Sequence, residues 1–144
     1  MNSPVKLMLL IYLLVFGLIV AVDVVSLSRA EDNMKRSLDR AIDGGIIYGT
    51  NEDDYSKGFI YLKEDQVRES VRSLIQKNLK LDSSLSSEAY RNGELFVSIT
   101  YFDGIPRVEA TFRAGVKMIA GGLVGLDTYN LEVTKRTPYL SDYK

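Results

Sequence analysis

The chain has no histidine, no cysteine and no tryptophan, and only three prolines among 144 residues. Without histidine or cysteine there is no nucleophile–base pair built on either, no His/Cys zinc site, no thiolate redox chemistry and no disulfide framework. An excess of one charge is missing too: 18 Lys plus Arg against 19 Asp plus Glu leave a formal charge of −1. That balance implies neither a polybasic nucleic-acid surface nor an acidic tail, so nucleic acid is not an expected partner. Carboxylate, hydroxyl, amine and backbone groups are what remains for chemistry. Asp103 and Glu109 could supply two carboxylates, but no spacing brings a pair together with a physical reason for a raised pKa. An exported carboxylate-dependent hydrolase therefore has little support; the expectation is a protein that is not an enzyme and has no cofactor or metal. At 46% apolar and 26% charged, the composition is that of one folded domain, not a disordered chain.

What is present is an apolar run. Leu7 to Val22 (LMLLIYLLVFGLIVAV) carries no charge; Lys6 precedes it and Asp23 follows. These 16 residues span ~24 Å as a helix, short of the ~30 Å hydrocarbon layer, and continuing to Leu27 gives ~32 Å if Asp23 is tolerated near one end. A core helix in water would not be apolar on every side, so 7–27 is expected to cross a membrane, behind a short cytoplasmic leader, 1–6. A long trailing domain is translocated largely regardless of its charge, which puts the C-terminal part outside. The competing reading is a cleaved signal peptide, with Ser28-Arg29-Ala30 as a small-x-small site before Glu31. The run is slightly long for that, and helical periodicity continues through the cut, which favours a retained anchor.

Beyond the run, Leu27, Ala30, Met34, Leu38, Ala41, Ile42 and Ile46 recur at three- and four-residue steps, one apolar stripe on an amphipathic extension over 28–48. Opposite charges stand at i,i+4: Glu31 with Lys35, Asp32 with Arg36, Lys35 with Asp39. With only Gly17 interrupting Val5 to Asp43, the simplest structure is a single helix of about 40 residues, roughly 60 Å long, ending at Gly44-Gly45 or at Gly49. The outer stripe packs on the chain's own head, on neighbours in an assembly, or on both. Asp23 has two readings: near the end of the span it reaches water, or it meets an amine such as Lys6 of an adjacent subunit and sets the register between helices.

The exported head is expected over 49–144. Asn51-Glu52-Asp53-Asp54 matches no calcium-loop spacing and reads as a solvated loop. Lys63 to Leu79 is a second amphipathic helix with Val67, Val71, Leu74, Ile75 and Asn78-Leu79 inward and Glu64–Arg68 outside; Asp82 to Ser87 is a polar linker. Alternation over Leu95–Phe102 and Val108–Arg113, around Asp103-Gly104, is an antiparallel hairpin. A third strand fits Tyr129–Thr134, before Pro138 stops pairing. Gly115 to Leu126 is almost wholly apolar with four glycines, too short to span, and is either a buried crossover or an exposed loop resting on a membrane or a neighbour. The fold class is thus α+β: a long N-terminal transmembrane and amphipathic helix, a second helix and a small antiparallel sheet.

This order of elements resembles type IV pilin-like proteins, and more narrowly the TadE/TadG-like pseudopilins of tight-adherence pilus systems. The similarity lies in Ala21-Val22-Asp23-Val24-Val25 followed by Arg29, in the Ala41-to-Gly45 stretch, and in the runs VSITYF and VEATFRAGVKMIAGGLVGLDTYNLEVTKR. The resemblance implies a non-enzymatic, membrane-anchored pilin-like or pilus-assembly subunit that works by helix packing and oligomerises with other pilin-like subunits or envelope assembly proteins in membrane lipid. Its location would be the cell membrane, single-pass, or surface pili. Tyr12, Gly17, Asp23, Met34 and Leu38 are the candidate assembly residues, because helix association in lipid depends on close packing and polar contacts. The other reading is a single-pass accessory or binding subunit of an envelope secretion or conjugation complex, never incorporated in a filament.

Overall fold

A computed structural model describes residues 3–50 and 61–137. The acidic stretch Asn51–Asp54 and Pro138 lie outside the described residues. Six elements follow one another: α1 (Ser3–Gly49), α2 (Glu64–Leu79), β1 (Tyr90–Phe102), β2 (Ile105–Lys117), a short α3 (Ile119–Leu123) and β3 (Thr128–Arg136). The fold is α+β, with the long apolar helix, the second helix and a three-stranded antiparallel sheet in the order β1-β2-β3.

α1 is a single helix of 47 residues with two different environments. From Leu7 to Val22 it is apolar and almost wholly exposed, and the helix is long and apolar enough to cross a membrane. Its C-terminal half is the spine of the head. Ala30, Met34, Leu38, Ala41 and Ile42 are buried there, with Leu27 and Ile46 half-buried beside them, so the outer stripe packs against the chain's own head. The i,i+4 pair Glu31–Lys35 forms on the polar side, at 2.5 Å.

The helix runs through Gly44-Gly45 and stops at Gly49. Gly45 serves packing instead of termination: a Cβ there would lie 2.6 Å from Val71 Cγ2 of α2, and one on Gly49 would lie 2.2 Å from Val67 Cγ2. The two helices come this close because α1 offers no side chain at the crossing. Gly45→Ala is therefore expected to cost about 1–3 kcal/mol by overpacking against a wholly buried valine, outweighing alanine's better helix propensity of about 1 kcal/mol. Gly44→Ala meets only the mobile Cδ1 end of half-buried Leu74 and should be near neutral. Urea titrations of the two variants in mild detergent would check the contrast.

α2 buries Val67, Val71, Ile75 and Leu79. Leu74 is half-buried, while Asn78, placed inward by periodicity, is exposed. Arg68 pairs with Glu64 at 3.5 Å and also donates to the Val97 carbonyl of β1, tying helix to sheet. The linker after α2 is an ordered turn. Asp82 Oδ1 accepts from the Ser84 hydroxyl and from the Ser84 and Ser86 amides, and these bonds, led by the Ser84 hydroxyl, hold its carboxyl below the usual value. The turn carries buried Leu85 against β1, where Gly93 in a bulge leaves room for the Leu85 carbonyl.

The hairpin closes through Asp103-Gly104, both at positive φ, as a two-residue turn between such paired strands requires. Both strands run longer than the alternation alone marks, since pairing continues to Tyr90↔Val116. On the inner face Val108, Ala110, Phe112, Ala114 and Val116 of β2 and Val133 of β3 are buried with the helices. The outer face carries a polar ladder beside the exposed Phe96: Arg113 bridges Glu94 and Glu132, Thr111 meets Thr134 at 2.8 Å, and Arg136 meets Glu109 at 2.7 Å. Lys135 reaches back to Asp39 of α1 at 3.1 Å.

Candidate functional site

The contact that sets this molecule apart joins its two most conspicuous sequence features, the acid at the end of the apolar run and the apolar glycine-rich segment. The segment leaves β2 at Lys117, makes one turn of helix and returns as β3. Three free N–H groups open that turn, and no side chain of Met118 caps them. Asp23 does so from 96 residues away. The Ile119 N–H donates to Oδ1 at 2.8 Å, the Ala120 N–H to Oδ2 at 2.7 Å, and the Gly121 N–H to Oδ2 at 3.4 Å. A carboxylate accepting from backbone amides makes charge-assisted bonds stronger than neutral ones.

The segment is shaped for this role. A Cβ on Gly121 would lie 2.2 Å from the Leu126 carbonyl oxygen, which accepts no such crowding; the Leu126 N–H in turn donates to the Gly121 carbonyl at 2.7 Å. The Met118 N–H donates to the Asp127 carbonyl at 2.9 Å, closing the loop where it leaves and rejoins the sheet. Ala120 and Gly121 are buried against α1, while Ile119, Leu123, Val124 and Leu126 point away and are 61–68% exposed.

Asp23 is only 3% exposed. It does not open to water, as a place at the end of the span would allow; its partners within the chain are the amides of its own head. The other candidate residues divide sharply. Tyr12 is exposed, and nothing beyond α1 lies within 4 Å of a Cβ built on Gly17. Met34 and Leu38 are wholly buried inside the head, so in this fold their packing is intramolecular. The backbone partners of Asp23 were missed by residue patterning, because a peptide N–H has no sequence signature. The available signal was pairwise: one acid closing an apolar run, and one other apolar segment without a partner of its own.

Among the described residues no group of three or more acidic side chains could hold a metal ion. Asp103 sits in the hairpin turn, and Glu109 is held by Arg136. The open groove between Tyr48 and α2 contains Glu69 and Lys77, both exposed. Tyr90, buried at the start of β1, donates to the Ala30 carbonyl at 3.4 Å; burial raises its phenol pKa, and a bond to the Asn33 side chain opposes the shift. Comparison with family models, with curated proteins and with solved structures finds no match.

Proposed function

We propose that this chain is a non-enzymatic, membrane-anchored subunit of the pilin-like class, similar to the TadE/TadG-like pseudopilins, with its amino terminus in the cytoplasm and its head outside. It acts by packing the apolar half of α1 against equivalent helices, in a filament or in the machinery that builds one. The observation that carries this reading is the division of α1: one helix, without a break, is the core of the head at one end and exposed apolar surface at the other. Retention of the anchor is supported by residues 28–30. They lie inside the continuous helix, and Ala30 is at the edge of the head's core, so a cut before Glu31 would break the helix where it enters the head.

Gly17 separates assembly from folding. There is room for a side chain within the chain itself, so Gly17→Leu should leave the head and its membrane content unchanged. If this glycine lies in a helix–helix contact, the variant's amount in sheared surface fibres should fall about tenfold or more, because a large side chain holds the helices apart. Mass spectrometry of the sheared material makes the measurement and also reads the mature amino terminus. Finding the wild-type chain in membranes but never in fibres would replace this reading with that of an accessory subunit of an envelope complex.

A further inference from the structure

We infer that the 118–127 loop is a second membrane contact: its exposed apolar side chains enter the outer lipid interface beside α1 and seat the head on the bilayer. The inference rests on the anchored reading of α1 and goes beyond it. Depth along the helix supplies the first support. The uncharged run ends ~6 Å short of the ~30 Å hydrocarbon thickness, and Asp23 marks that end. The loop is bonded to Asp23 itself, so it lies at the level where the helix runs out of apolar length. Ile119, Leu123, Val124 and Leu126 supply exposed apolar surface on the loop bonded at that level.

The chemistry around the loop fits lipid. Lys117, exposed at its start, can bury its stem and keep its ammonium among headgroups. Tyr129, exposed just beyond its end, is the residue type that favours this zone. The polar ladder on the outer sheet face, by contrast, suits water. Asp23 completes the picture: a carboxylate at this depth is costly unless its oxygens are bonded, and the loop brings three amide donors to it. The loop therefore satisfies the acid and covers it with apolar side chains facing lipid.

The absence of native cysteine makes the test direct. Full-length chains carrying Leu123→Cys, Val124→Cys, Leu13→Cys or Lys77→Cys are labelled with a small fluorophore and reconstituted in phosphatidylcholine vesicles. Quenching by nitroxide-bearing lipid is then compared with quenching by aqueous iodide. The expected result is lipid quenching at positions 123 and 124 at least about fivefold stronger than at position 77 on α2, with the iodide order reversed. Lipid quenching at 13 with iodide quenching at 123 and 124 would overturn the inference and leave the anchor standing. Iodide quenching at 13 as well would overturn both. Shielding of 123 and 124 from both quenchers would show that protein covers the loop and would also overturn it; loss of that shielding on dilution in lipid would identify the cover as a second copy.

Discussion

Leu38→Ala should cost the head about 2–5 kcal/mol, as for other large-to-small changes at fully buried sites. Leu38 is wholly enclosed, together with Met34, Val71, Ile75 and Phe112. Its replacement leaves a cavity between α1 and the elements packed on it. The measurement is a urea titration of the full chain, dispersed as a monomer in mild detergent and followed by near-ultraviolet dichroism of its tyrosines. A stability unchanged within about 0.5 kcal/mol would mean that the side chain is exposed in the dispersed chain and that α1 does not pack into the head through Leu38. Tyr12→Ala provides the comparison. Tyr12 touches none of the head, so its loss should leave the same titration unmoved.

The second large effect is local. Asp23→Ala removes the acceptor for three amides at once, two of them on buried residues, and leaves those donors unpaired against an apolar helix. Hydrogen exchange at Ile119, Ala120 and Gly121 is expected to accelerate on the order of 10- to 100-fold, the factor that follows from each amide losing its one charge-assisted bond. Exchange at Phe112 and Val133, deep in the sheet, should change little. Asp23→Asn keeps one acceptor oxygen and should fall between wild type and alanine. Equal acceleration across the whole sheet would show that Asp23 supports global folding and not this loop alone; no acceleration anywhere would sink the clamp.

The two experiments also separate roles that residue patterning had joined. Met34, Leu38 and Asp23 share one helix with Gly17 and Tyr12, and all five are candidates for contacts between subunits. The fold commits the first three to contacts within the chain. The apolar N-terminal half of α1 stays exposed, as do Ile47 and Tyr48 near its other end, so these are the apolar parts of the helix open to a contact outside the chain.

Much of the architecture was legible because it depends on period and run length, both local properties. A stretch apolar on every side, a 3.6-residue stripe from Leu27 to Ile46 and alternation around Asp103-Gly104 each specify an element without knowledge of its neighbours. The sequence by itself therefore determined a long helix leaving an apolar environment, a second amphipathic helix and a hairpin with a third strand. Tertiary structure alone decided three further matters. Gly44-Gly45 does not end the helix, because the close crossing of α2 uses the missing side chains. The outer stripe faces inward, because only the folded chain brings the sheet and α2 over it. Asp23 finds its partner across 96 residues, because backbone amides are identical in every sequence and only folding brings three of them to one carboxylate.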